Sequence, residues 1–71
     1  MVGIAEQYGL TAREMDVLRL LGKGYRNREI ADSLGLSQST VKTCVARIFK
    51  RLEVSDRTDA VVKAFRLGII E

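Results

Sequence analysis

The chain has 71 residues, of which 46% are hydrophobic and 30% are charged, and its formal net charge is +3. This length allows one small domain, and the composition excludes an intrinsically disordered chain, which would have fewer large aliphatic residues and more net charge. The single cysteine excludes an internal disulfide, and without a membrane-length apolar run or a secretory signal we expect a cytoplasmic protein with no membrane partner.

Residues 1–9 are interpreted as an N-terminal lead-in or the remnant of a linker, and residues 10–70 as the folded domain. Within the lead-in, Ile4 and Tyr8 pack either on the first predicted helix or on a sensor domain outside this chain.

The first predicted helix begins after Thr11. Thr11 and Glu14 have the spacing of a capping box, in which each side chain pairs with the other residue's backbone N–H. Gly22 and Gly24 end the helix. Its core-facing stripe consists of Val17, Leu18, Leu20 and Leu21.

The second and third predicted helices are separated by a short turn. Asn27 is the predicted N-cap of the second helix, and Gly35 ends it because glycine tolerates a left-handed backbone. Ser37 is the predicted N-cap of the third helix, which runs from about Gln38 to Leu52. The apolar face of the second helix consists of Ile30, Ala31 and Leu34, and that of the third consists of Val41, Cys44, Val45, Ile48 and Leu52.

The junction between these helices predicts the fold. Two helices that meet steeply need a small side chain where they cross, which Ala31 supplies, and a turn residue that accepts positive φ, which Gly35 supplies. Leu36 and Val41 then fix the angle. We therefore predict an all-α, four-helix helix-turn-helix domain, a small orthogonal bundle.

The basic residues are concentrated in the third predicted helix. Residues 42–52 contain four bases and no acid, whereas the rest of the chain is close to neutral. This distribution favours a helix that approaches a nucleic acid. A solvated helix face is the alternative explanation of the same charges.

A fourth helix is predicted from Arg57 to Leu67, capped by Ser55 or Asp56 and followed by Gly68. It has two apolar faces: one consists of Ala60, Val61, Ala64 and Leu67, and the other of Val62, Phe65 and Ile69. A peripheral helix in so small a domain needs only one core face, so the second face predicts burial against another chain. Alternatively, Phe65 folds over the edge of the core.

Four segments in this order carry a resemblance to a known family. They are LTAREMDVL at 10–18, GYRNREIA at 24–31, LSQSTVK at 36–42 and IFKRLEVSDRTDAV at 48–61. Together they resemble the LuxR/FixJ-type (GerE-like) helix-turn-helix domain of bacterial transcription regulators. The resemblance implies sequence-specific binding to double-stranded DNA, with the third helix in the major groove and the fourth helix forming a homodimer.

The resemblance also implies roles for individual residues. The expected base-reading residues are Lys42, Thr43, Ala46 and Arg47, and the expected phosphate contacts are Arg26, Asn27, Arg28, Ser39, Thr40 and Lys50. The expected dimer interface, taken from the second apolar face of the fourth helix, is Val62, Phe65 and Ile69. The domain is expected to be the C-terminal output domain of a larger response regulator or sensor protein, with RNA polymerase as a further candidate partner.

Three positions depart from the family's usual residues. Cys44 stands where His is common, and we interpret it as a small core residue; a redox switch is the alternative, although no second cysteine could resolve it. Arg26 replaces the usual Ser and adds a cation ahead of the second helix. Arg47 replaces the usual Asn and either donates two hydrogen bonds to guanine O6 and N7 or binds phosphate.

Other classes of protein are disfavoured. Because the chain has no histidine and one cysteine, neither a Ser-His or Cys-His pair nor a zinc site can be built, and we expect no enzymatic activity, cofactor or metal. A helical protein–protein module would more often carry an apolar centre than an acid-free basic face. A sigma-factor promoter module would not explain residues 10–18.

Overall fold

The computed structural model describes residues 3–71, and within that range it contains five helices and no strand. The helices are α1 (Ile4–Gln7), α2 (Ala12–Gly22), α3 (Asn27–Leu34), α4 (Gln38–Leu52) and α5 (Arg57–Arg66). Helices α2 to α5 are the four predicted helices, so the all-α fold class is confirmed, whereas α1 is an additional short helix. No helix in residues 3–71 has both the length and the apolar composition of a membrane span.

Helix α2 begins at the predicted capping box. The Glu14 backbone N–H donates to Thr11 Oγ1 and the Thr11 N–H donates to Glu14 Oε1, each across 3.1 Å. Glu14 is nevertheless buried, and Arg51 of α4 lies 3.6 Å from its Oε1. The Glu14 side chain therefore both caps α2 and pairs with Arg51 of α4.

Helix α3 begins one residue earlier than predicted. Asn27 is its first residue, and Arg26 is the N-cap, so the prediction of Asn27 as the cap was wrong. The start is set by Glu29, whose Oε1 accepts the Arg26 backbone N–H at 2.9 Å, the return half of a capping box. The Asn27 side chain is used elsewhere, because its Oδ1 accepts a hydrogen bond from Arg57 of α5.

The turn between α3 and α4 has the predicted construction. Gly35 has φ of 67°, in the left-handed region, and the Leu36 N–H donates to the Ala31 carbonyl at 2.9 Å. Ala31 is buried, and Leu36 packs partly buried against the core. The angle between α3 and α4 is therefore held by both backbone and core contacts.

Helix α4 has the predicted limits and the predicted core face. Ser37 Oγ accepts the Thr40 backbone N–H at 3.1 Å, which confirms Ser37 as the N-cap. All five residues predicted for the core face are buried, including the cysteine: Val41, Cys44, Val45, Ile48 and Leu52. The helix ends at Leu52, and its C-cap, Glu53, has φ of 57° and is the one positive-φ residue other than glycine in residues 3–71.

Helix α5 departs from its predicted core face at its C-terminal end. Asp56 caps it, and Ala60 and Ala64 are buried as predicted. The helix ends at Arg66, however, and Leu67 is not part of the core. Ile70 is buried instead, and its Cδ1 would lie 2.8 Å from a Cβ added at Gly22. The absence of a side chain at Gly22 therefore lets the end of the chain pack closely against α2.

The segment before α2 packs against the domain. Ala5 and Tyr8 lie against the core, whereas Ile4 is exposed. Arg51 donates to the Gly9 carbonyl, and the Lys63 ammonium lies 5.9 Å from the centre of the Tyr8 ring. Of the two interpretations of Tyr8, packing within this chain is the one observed. Met1 and Val2, where the predicted lead-in begins, lie outside the described residues.

Candidate nucleic-acid interface

The exposed side of α4 is a continuous polar and basic surface, which we call the α4 face. All of its residues are exposed: Ser39, Lys42, Thr43, Ala46, Arg47 and Lys50. No acid occurs in α4, and none of the ion pairs within residues 3–71 involves a cation of the α4 face. Its positive charge is therefore directed to solvent, where it can meet an anionic partner.

The N-terminus of α4 carries a small network of hydroxyl groups. Ser37 Oγ donates to Thr40 Oγ1 at 2.9 Å and lies 3.1 Å from Ser39 Oγ. Because Ser37 has one hydroxyl proton, Ser39 is the donor in the second bond. The Thr40 hydroxyl keeps its own proton for another acceptor, whereas the Ser39 proton is already used. Of these two predicted phosphate contacts, Thr40 is the better donor.

The N-terminus of α3 carries three more of the predicted phosphate contacts, Arg26, Asn27 and Arg28. Arg26 and Arg28 are exposed, and Asn27 is half-buried. Arg57 Nη2 donates to Asn27 Oδ1 at 3.0 Å, which orients the amide and leaves its NH2 group to donate. Since a helix N-terminus also presents unpaired backbone N–H groups and a positive dipole end, this region suits a phosphate.

Arg51 shows a role that sequence reasoning missed. Its charge counted toward the acid-free segment, but its Nη1 lies 3.6 Å from the Glu14 carboxylate and donates to the Gly9 carbonyl. Arg51 thus stabilises the fold and does not belong to the α4 face. The Thr11–Glu14 spacing predicted a cap but held no signal that the carboxylate would be buried.

The second apolar face of α5 is largely exposed. Val62 and Phe65 retain 41% and 45% of their accessible surface, so Phe65 does not fold over the core edge as the alternative proposed. Ile69 differs, because it lies beyond the end of α5 and packs partly buried against the core of its own chain. The exposed apolar surface therefore centres on Val62 and Phe65.

Comparisons with known proteins agree on one family. The protein-family model described as "GerE: Bacterial regulatory proteins, luxR family" matches residues 8–64. The chain is 50% identical over 62 residues to "Response regulator protein VraR" of Staphylococcus aureus (strain NCTC 8325 / PS 47), covering 87% of this chain and 30% of that protein. The protein of the same name from Staphylococcus epidermidis matches with the same identity and coverage.

A solved structure matches as well. "Structure of Transcription factor, GerE" superposes with a TM-score of 0.81 at 32% sequence identity, covering 87% of this chain and 92% of the other. This match extends over nearly the whole of the other chain, whereas the present chain spans only 30% of the length of the response regulators that it resembles.

Proposed function

Because the chain belongs to the luxR family of bacterial regulatory proteins, we propose that it reads double-stranded DNA by placing α4 in the major groove. It is a helix-turn-helix DNA-binding domain of a transcription regulator.

The observation that carries the proposal is the α4 face. Lys42, Arg47 and Lys50 are exposed on one helix that has no acid, and the turn at Gly35 and the buried Ala31 set the angle at which that helix meets α3. An α-helix fits the major groove, where Lys and Arg bind guanine O6 and N7. Base reading by Lys42, Thr43, Ala46 and Arg47 agrees with this exposure.

Phosphate contacts on both sides of the groove would orient α4. The first group is Arg26, Asn27 and Arg28 at the N-terminus of α3. The second is Thr40 at the N-terminus of α4, with Ser39 beside it and Lys50 further along the helix. Such contacts position a protein on the duplex and supply affinity that is independent of sequence.

A homodimer through α5 completes the proposed assembly. Val62 and Phe65 are exposed apolar side chains and would form the centre of a two-fold contact, with Ile69 at its margin. Two copies of α4 would then enter successive major grooves about 34 Å apart. The resulting operator would be an inverted repeat.

The chain is proposed to act as the output domain of a longer response regulator. The named relatives are response regulators, and this chain covers 30% of their length. A sensor or receiver domain would supply the input signal, and RNA polymerase would be a partner at the promoter.

The test is selection from a randomised duplex pool, followed by anisotropy measurements on the selected sequence at two salt concentrations. We expect an enriched inverted repeat and a steep loss of affinity at higher salt, because bound cations release counterions from the phosphates. No binding at low salt would overturn DNA binding by α4. An enriched single half-site would overturn the dimer but not the DNA contact.

A further inference from the structure

The side chain of Thr43 is fixed by its own helix. Its hydroxyl donates to the Ser39 backbone carbonyl, one turn earlier in α4, across 3.1 Å. A threonine hydroxyl has one proton, and here that proton is committed to the backbone. Thr43 can therefore accept a hydrogen bond from a base but cannot donate one.

The same bond decides which group Thr43 presents outward. The Cβ of threonine carries a hydroxyl, a methyl group and a hydrogen, and the hydroxyl is turned toward the helix backbone. The side chain is exposed, so the methyl group becomes its outer part. At the centre of the α4 face, Thr43 is thus an apolar contact.

A second methyl group lies beside the first. Ala46 is exposed and follows Thr43 by three residues, the spacing at which helix side chains are neighbours. The same α4 face carries the exposed cations Lys42, Arg47 and Lys50. Thr43 and Ala46 thus form a small apolar spot on an otherwise polar and basic face.

The major groove offers one apolar group, the C5-methyl of thymine, whereas guanine presents two acceptors that Thr43 cannot satisfy. We infer that each half-site contains a thymine whose C5-methyl packs on the apolar spot of Thr43 and Ala46. This inference rests on the proposed function, since it requires α4 to lie in the major groove. 5-Methylcytosine carries the same methyl group and is the other base able to make this contact.

The test replaces each thymine of the selected operator, one at a time, with deoxyuridine, which lacks only the methyl group. We expect one thymine in each half-site whose replacement weakens binding about fourfold, the effect of removing one buried methyl group. An operator that binds the domain equally well after every replacement would overturn the inference. Failure to select any operator would instead count against the proposed function.

Two variants assign the effect to Thr43. Thr43→Ser keeps the hydroxyl but removes the methyl group, so the difference in affinity between the thymine and uracil operators should shrink to what Ala46 alone contributes. Thr43→Val keeps a methyl group and should still distinguish them. If Thr43→Ser retains the full difference, the methyl contact belongs to another residue and the assignment is wrong.

The last step places cytosine or 5-methylcytosine at the thymine whose replacement by deoxyuridine weakens binding. We expect 5-methylcytosine to bind more tightly than cytosine, because it restores the methyl group. If unmethylated cytosine binds as tightly as thymine, a methyl contact at this position is overturned.

Discussion

Arg57, the first residue of α5, donates from Nη2 to the Oδ1 of Asn27, the first residue of α3, across 3.0 Å. The two residues are 30 positions apart in sequence, and their bond is partly buried. It joins the helix proposed to form the dimer to the helix end proposed to contact phosphate. Asn27 is thereby held in one orientation before DNA arrives.

Removing the bond between Arg57 and Asn27 should lower the stability of the domain. It should also lower the affinity for DNA, because Asn27 is a proposed phosphate contact. We expect Arg57→Ala to reduce the free energy of unfolding by about 1–2 kcal/mol, because a partly buried bond with a charged donor is lost. A double-mutant cycle with Asn27→Ala, followed by urea unfolding, should give a coupling of about 1 kcal/mol. Additive effects of the two substitutions would show that the bond contributes nothing.

Glu14 should be the most costly acid to replace. We expect Glu14→Ala to destabilise the domain by about 2–3 kcal/mol, because the cap on the Thr11 N–H and the contact with Arg51 are lost together. Glu14→Gln keeps an oxygen acceptor and should cost less. Glu6→Ala, at an exposed position of α1, is the control and should change stability by less than about 0.5 kcal/mol. Equal effects of Glu14→Ala and Glu6→Ala in urea unfolding would contradict the role of the buried carboxylate.

Glu53 offers a stabilising substitution. Its φ of 57° is unfavourable for a residue with a Cβ, and glycine is the usual residue where a helix ends in this conformation. We expect Glu53→Gly to raise the free energy of unfolding by about 0.5–1 kcal/mol. Glu53→Ala removes the same carboxylate without relieving the backbone. A similar gain from Glu53→Ala would assign the effect to charge and not to φ.

Base contacts and phosphate contacts should separate by mutation. If Lys42 and Arg47 read bases, replacing either with alanine should weaken binding to the selected operator by about 1–3 kcal/mol. Binding to scrambled DNA should be affected much less. Lys50→Ala should weaken both duplexes alike and reduce the salt dependence. Arg19→Ala, on α2, makes the same charge change away from the α4 face. If it weakens binding as much as Arg47→Ala, net charge alone explains the affinity.

Phe65 should decide whether α5 forms the dimer. Phe65→Glu places a charge on a half-exposed position, so the fold should remain intact while two copies repel each other. We expect cooperative binding to the two half-sites to disappear and binding to one half-site to persist. Gln7→Glu adds the same charge outside α5 and should leave cooperativity unchanged. Cooperative binding by the Phe65→Glu variant would exclude this dimer.

Local patterns predicted the limits of α4 and all of its buried positions. Ser37, Gly35 and the apolar periodicity act within a few residues of one another, so they can be read from sequence alone. Asn27 and Arg51 could not be read in this way, because their partners lie far along the chain. Asparagine is a common helix N-cap, but Asn27 pairs with Arg57. Arginine is a common DNA contact, but Arg51 pairs with Glu14.

The C-terminal end illustrates the same limit. A helical pattern extended through Leu67 placed that residue in the core, but the helix ends at Arg66 and the chain turns at Gly68. The turn brings Ile70 onto Gly22, a contact that depends on the position of α2. Tertiary packing, which no local pattern records, determined which apolar residue was buried.

The exposed and buried positions of α4 form two sets that share no residue. In the proposed binding mode, substitution at Lys42, Thr43, Ala46 or Arg47 would change the surface offered to DNA, whereas Val41, Cys44, Val45, Ile48 and Leu52 are buried beneath it. Surface substitutions of this kind usually change stability by less than about 0.5 kcal/mol. If α4 reads DNA as proposed, a duplicated gene could acquire a new operator through a few changes on one side of that helix while the core residues stay unchanged. Recognition and folding would then be open to selection separately.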